Sequence, residues 1–199
     1  MTDEHRDVRE FFTARAADWD TRFPDDAPAF EAAADSLSLR PGDAVLDAGC
    51  GTGRALPALR AAVGPRGTVL GVDLTPAMLE SAVRAGRDRE GTLLLADVAR
   101  LPLGPEALDA VFGSGLISHL SRPGPDLAEL ARVVRPGGRL ALFHPLGRAA
   151  LAARHGRPVT DDDLRAERNL RPLLARSGWR LDTYTDEDEG YLALAVRTP

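Results

Sequence analysis

Lysine is absent from this 199-residue chain, whose 25 basic residues are all arginine. Chemistry that needs a lysine amine is excluded, which removes Schiff-base enzymes of the pyridoxal type and P-loop nucleotide triphosphatases. Cysteine is nearly absent as well. The single Cys50 cannot form an internal disulfide, and the opening Met1-Thr2-Asp3-Glu4-His5-Arg6-Asp7 is charged where a secretory leader turns apolar, so a cytoplasmic protein is expected. Positive charge is in deficit: 30 acidic residues against 25 basic ones give a net charge of −5, the wrong sign for a partner such as nucleic acid or an anionic membrane. Apolar runs stay strand-sized, as at Leu93–Ala96, far below the roughly 20 residues of a membrane helix. The 4 histidines are scattered without paired spacing and predict no metal site.

What is present is an alternation. From residue 44 onward, short continuous apolar runs at Ala44–Ala48, Thr68–Val72, Thr92–Ala96, Leu108–Gly113 and Arg139–Phe143 are separated by amphipathic stretches at Arg54–Val63, Pro76–Ala85 and Pro125–Val134. That pattern predicts parallel strands buried on both faces and covered by helices, an α/β fold. Thr75 before Pro76 reads as a helix cap. Residues 5–40 read as two helices, with Phe11, Phe12 and Trp19 on the first and Phe30, Ala33 and Leu37 on the second. Near the other end a helix is expected at Asp161–Ser177, with Asp161-Asp162-Asp163 at its start. Trp179–Tyr184 and Tyr191–Val196 follow as antiparallel strands around a solvated acidic turn, Asp186–Glu189.

The most informative segment is Val45-Leu46-Asp47-Ala48-Gly49-Cys50-Gly51-Thr52-Gly53, a strand running through three alternating glycines into a helix. Glycine there lets backbone turn tightly and approach a ligand. Arg54 stands where a dinucleotide fingerprint needs glycine, so the pattern is D-x-G-x-G-x-G. Asp73 ends the second strand, Asp97 and Val98 follow the third, and Pro136-Gly137-Gly138 precedes the fifth as a tight turn. Together these resemble the motifs of class I S-adenosylmethionine-dependent methyltransferases, and the Phe11–Trp19 segment resembles the N-terminal helix of the ubiquinone/menaquinone methyltransferase-like group.

The resemblance implies a Rossmann-like, mostly parallel seven-stranded sheet with an antiparallel C-terminal strand and helices on both faces, in one domain over 1–199. Within it, 1–40 form a helical cover, 41–145 the cofactor-binding core, and 146–199 a substrate-side loop, helix and β-hairpin. It implies S-adenosyl-L-methionine as cofactor, held by Asp47, Gly49, Cys50, Gly51, Gly53, Asp73, Leu74, Met78, Asp97, Val98, Ser114 and Trp19. Asp73 would take the ribose hydroxyls and Asp97 the adenine amino group, while Asp47 would either touch ligand or fix the glycine loop through its amides. Cys50 is expected to pack in the loop and not to act as a nucleophile.

In an open parallel sheet the acceptor belongs at the carboxyl ends of the fourth and fifth strands, near Ser114, Gly115, His119, His144, Pro145 and Arg148. His144 and His119 are the candidate catalytic residues, since an oxygen acceptor must lose a proton. His5 and His155 read as surface residues. The chain has Gly113-Ser114-Gly115-Leu116 where amino-directed nucleic-acid methyltransferases carry an Asp/Asn-Pro-Pro-aromatic motif, and its cysteine is not at a Pro-Cys. A small-molecule methyl acceptor is therefore expected, with the protein a monomer or homodimer. Arg148, Arg154 and Arg157 would either meet an anionic substrate or solubilise their loop. The rival readings are a non-catalytic S-adenosylmethionine-binding scaffold, an NAD(P)-dependent oxidoreductase, and aminopropyl transfer.

Overall fold

Because the strands carry apolar side chains on both faces, they can only be buried in the middle of a sandwich, with helices above and below. The computed structural model describes residues 3–22 and 26–199. The elements run α1 (Asp3–Thr13), α2 (Ala27–Ser36), β1 (Ala44–Ala48), α3 (Leu56–Val63), β2 (Thr68–Asp73), α4 (Pro76–Arg84), β3 (Thr92–Leu95) and β4 (Leu108–Ser114). Then come α5 (Pro123–Val133), β5 (Val134–His144), α6 (Arg148–Arg154), α7 (Glu167–Arg176), β6 (Trp179–Glu187) and β7 (Gly190–Arg197). One 7-stranded sheet has the order β3-β2-β1-β4-β5-β7-β6. The pairs among β1 to β5 are parallel, while β7 lies antiparallel to both β5 and β6.

Alternation along each strand splits the core in two. Leu46, Val111, Leu140, Leu142, Tyr191 and Ala193 point to the side of α5 and α7. Val45, Ala110, Phe112, Ala141 and Phe143 point to the side of α2 and α3. Trp179 anchors the first half: it is fully buried and its indole Nε1 donates to the Leu127 carbonyl at 2.9 Å.

The structure departs from the sequence expectations in several places. The first helix stops at Thr13 and does not carry Trp19, which follows a 3-10 turn at Ala16–Asp18. The Ala16 carbonyl accepts a hydrogen bond from Ser81 Oγ at 3.0 Å, so α4 holds the chain in this bend. Thr75 occupies the cap position of α4 but makes no side-chain cap bond. β3 is an edge strand, with Leu95 59% exposed, and is not buried on both faces.

β5 begins at Val134, before the Pro136-Gly137-Gly138 segment, which forms a bulge within the strand and not a turn ahead of it. A Cβ on Gly138 would lie 2.5 Å from the Asp109 carbonyl oxygen, so only glycine fits. The helix expected from Asp161 begins at Glu167, because Asp163 spends its carboxylate on the Arg165 amide and guanidinium and closes a turn instead. The stretch 146–160, expected as a loop, contains α6. Asp186 is not solvated: its side chain is 16% exposed and paired with Arg148. Among the described residues no helix is long and apolar enough to cross a membrane.

Candidate functional site

Parallel strands all end at the same edge of the sheet, and the loops that leave them open a cavity there. It measures about 720 Å³, with walls from the ends of β1, β2, β4 and β5, from α1 and the turns after it, and from residues 151–165. Of the residues expected at a cofactor site, Asp47, Gly49, Cys50, Gly51, Asp73, Leu74, Met78, Asp97, Val98, Ser114 and Trp19 line it, as do His119 and His144. Gly53 does not reach the wall. Its φ is +79°, and a Cβ there would press on Leu56 at 2.9 Å and Arg87 at 3.4 Å, so its glycine serves packing behind the loop. Gly51 is the contrasting case: φ is +55° and nothing lies within 4 Å of where its Cβ would stand, so the backbone fronts open space.

The acids behave differently from one another. Asp73 Oδ2 accepts the Gly51 amide at 2.8 Å and Oδ1 accepts the Thr75 amide at 2.7 Å. Thus Asp73, not Asp47, fixes the glycine loop, although each of its oxygens keeps a further lone pair. Burial raises its pKa, and the amide bonds only partly offset that. Asp47 is 1% exposed, and its Oδ1 has no hydrogen-bond partner. Desolvation, with the Asp73 charge adding to it, pushes its pKa up to about 8. Cys50 is buried between these acids, and desolvation first, then their charges, raise its thiol pKa further from reactivity.

The N-terminal segment is tied down over the cavity by residues that the sequence reading did not single out. Asp20 accepts from Thr52 Oγ1 at 2.6 Å and from Arg87 at 2.7 Å. Arg54, the residue that breaks the dinucleotide pattern, pairs with Asp26 and stacks over Phe30, 5.4 Å from the ring centroid. Phe12 packs edge-on to Trp19 at 5.4 Å and to His119 at 5.0 Å, closing a roof.

Two histidines also line the cavity, His119 beneath that roof and His144 at the end of β5. Desolvation, and then the Arg165 charge, lower the pKa of His119 below its usual 6.5. His144 ends β5 beside Tyr191, its register partner on β7. Its Nδ1 lies 2.9 Å from the Leu146 carbonyl oxygen and 3.0 Å from the Leu146 amide nitrogen. When Nδ1 carries the proton it donates to that carbonyl and leaves Nε2 with a lone pair. Desolvation is the main influence on His144 and lowers its pKa, so it is neutral near pH 7. Arg148, expected near an acceptor, is spent on Asp186 at 2.8 Å and Asp163 at 3.8 Å. His155 is exposed at the rim, and the His5 side chain lies outside the described residues. Among the described residues no cluster of metal-ligating side chains occurs.

Residues 46–142 match the family model of a methyltransferase domain. The chain is also similar to two curated proteins. One is malonyl-[acyl-carrier protein] O-methyltransferase of Serratia marcescens, 41% identical over 116 residues, covering 57% of this chain and 42% of that protein. The other is a ubiquinone/menaquinone biosynthesis C-methyltransferase of Burkholderia mallei, 37% identical over 112 residues, covering 53% and 44%. Residues 46–142 form a methyltransferase domain.

The methyltransferase domain spans less than half the length of either relative. Its fold extends to the whole chain in the magnesium protoporphyrin IX methyltransferase of Synechocystis PCC 6803, which aligns with a TM-score of 0.73 at 19% identity over 100% of this chain and 99% of that one. The family's cofactor fits the walls described above. The orphaned Asp47 carboxylate oxygen, the open space before Gly51 and the three strand-end acids offer acceptors to a ligand with a cationic end and hydroxyl and amino donors.

Proposed function

We propose that this protein binds S-adenosyl-L-methionine at the β1–β4 end of the cavity and transfers its methyl group to a small molecule held at the β5 end. The observation that carries the reading is Asp47: a buried, unpartnered carboxylate oxygen costs on the order of 1–3 kcal/mol, a cost that a bound cation relieves. Asp73 would hold the ribose, Asp97 and Val98 the adenine, and Gly49 and Gly51 the amino-acid end, with Leu74, Met78, Ser114, Cys50 and Trp19 completing the walls.

S-adenosylmethionine, when bound, supplies a methyl on a sulfonium, and in-line displacement leaves a neutral thioether. The chain's share is to hold the acceptor collinear with that methyl and to exclude water. His144 receives the acceptor's proton at Nε2 in the tautomer whose Nδ1–H donates to the Leu146 carbonyl; in the other tautomer Nδ1 accepts the Leu146 amide. His119 packs under Phe12 and shapes the pocket. A monomeric or dimeric cytoplasmic protein without nucleic-acid or membrane partners fits this chemistry.

The test is isothermal titration with S-adenosylmethionine, S-adenosylhomocysteine and NADPH, followed by turnover on an acceptor panel. Micromolar binding of the first two and none of the third supports the reading. Failure of both adenosyl compounds overturns it, and binding without turnover on any acceptor would favour a scaffold. Once an acceptor is in hand, His144→Gln should lower kcat by about 10²–10⁴-fold without changing cofactor affinity. The wild-type kcat should fall on the acid side with a midpoint below 6.5, the ordinary value for histidine, and the variant should lose that limb.

A further inference from the structure

The lining of the cavity includes exposed apolar side chains. Phe11 of α1 is 45% exposed and Val159 of the segment after α6 is 47% exposed, and both line the cavity. Leu120 and Leu151 line it too, half-buried. Large apolar side chains left this open at a cavity rim mark a surface covered by a ligand and not by the protein itself.

The charge at the same rim is equally specific. Arg157 lines the cavity, is exposed, and makes no side-chain hydrogen bond or ion pair with the described residues; its amide alone is bonded, to the Ala152 carbonyl at 2.9 Å. The carboxylates on that side are paired or buried. Asp163 holds Arg165 at 3.0 Å and Arg148 at 3.8 Å. Asp126 is 2% exposed; its Oδ2 accepts the Arg122 amide at 2.9 Å, while its Oδ1 is buried without a partner. Arg15 is occupied by the Phe11 carbonyl and ring, at 2.8 Å and 3.7 Å. Among the exposed residues of the lining, the charge without a partner is therefore positive, beside apolar side chains.

We infer that the acceptor is an amphipathic acid, an apolar body carrying a carboxylate, sulfonate or phosphate, with the body against Phe11 and Val159 and the anion on Arg157. The inference rests on the methyl-transfer reading and adds the substrate class. Its geometry leaves the deep end, beside His144, for the group that is methylated.

Two fluorescent probes that differ by one sulfonate test it: 8-anilinonaphthalene-1-sulfonate and neutral N-phenyl-1-naphthylamine, titrated into the full chain saturated with S-adenosylhomocysteine. The anionic probe should bind about two- to fivefold tighter than the neutral one, as expected for an exposed ion pair. Arg157→Gln should erase that preference without weakening the neutral probe, and 1 M salt should do the same to the wild type. Phe11→Ser and Val159→Ser should weaken both probes. Equal affinities in the wild type, or a preference that survives Arg157→Gln, overturns the inference. Calorimetric binding of S-adenosylhomocysteine is read separately, so loss of cofactor binding with the probe preference intact sinks the methyl-transfer reading alone.

Discussion

Asp47 is a residue whose protonation the fold controls strongly. Its pKa of about 8 in the folded chain stands far above its ordinary 3.8, so between those values the folded state holds a proton that the unfolded state lacks. The stabilisation is complete below the ordinary value and is lost as pH rises through about 8. A cationic ligand beside this carboxylate drives the proton off. Titrating S-adenosylmethionine at pH 7 in buffers of different ionisation enthalpy should therefore reveal proton release, with affinity rising between pH 6 and 8, and Asp47→Asn should abolish both effects. A buffer-independent enthalpy in the wild type would contradict the placement.

Asp73 does two jobs at once. Replacing it with alanine strands the Gly51 and Thr75 amides as well as removing an acceptor from the cavity wall. Asp73→Ala should lower S-adenosylhomocysteine affinity at least tenfold, a change of about 1.4 kcal/mol. It should also destabilise the fold by about 1–3 kcal/mol per unsatisfied amide, read in urea melts. Affinity retained by the variant would remove Asp73 from the cofactor site. The sequence made both acids candidates, because their places at the ends of β1 and β2 are set by local pattern. Which of them fixes the loop depended on a contact across 22 positions that no local pattern encodes.

At the scale of elements, the wall of the cavity beyond β5 is held by a latch. Arg148 opens α6, donates its backbone amide to Asp186 Oδ1 at 2.8 Å and its Nε to Asp186 Oδ2 at 2.8 Å, and so joins α6 to the β6–β7 hairpin. The approach is close enough that a Cβ on Gly147 would lie 1.9 Å from the Glu187 carbonyl oxygen. Arg148→Ala should cost about 1–3 kcal/mol, a drop in Tm of roughly 2–12 °C. Faster amide exchange over Arg148–Arg154 should accompany it, whereas unchanged exchange there would show that α6 is held by other contacts.

The same element was invisible in the sequence for a physical reason. α6 buries none of its residues, so it has no apolar stripe to announce it. The error at Trp19 has the opposite origin. Ala14-Arg15-Ala16-Ala17 are good helix formers, and tertiary contacts with α4, among them the Ser81 hydroxyl on the Ala16 carbonyl, hold them out of the helix. By contrast the parallel strands were legible because burial on both faces leaves a continuous apolar run.

Across the whole molecule, the two tryptophans report on separate processes. Trp19 lines the cavity roof, whereas Trp179 is fully buried in the core behind the sheet. S-adenosylhomocysteine should change the emission of Trp19, and Trp19→Phe should erase the response while leaving the cooperative unfolding signal of Trp179. Saturation at about 100 times Kd should stabilise the wild type by about 2.7 kcal/mol. A ligand response that persists in Trp19→Phe would mean that the roof does not sense the ligand.

The strand order also has a consequence for synthesis. β7 sits between β5 and β6, although both precede it in the chain. Until residues 190–197 are added, β5 therefore has an unpaired edge and β6 has no neighbour at all. A nascent chain ending near residue 189 offers open backbone groups on a strand rich in Leu, Ala and Phe, the kind of edge that recruits another chain. The interval between translating β5 and translating β7 is then the period of greatest aggregation risk, and a ribosome stalled within it leaves a product that cannot close its own sheet.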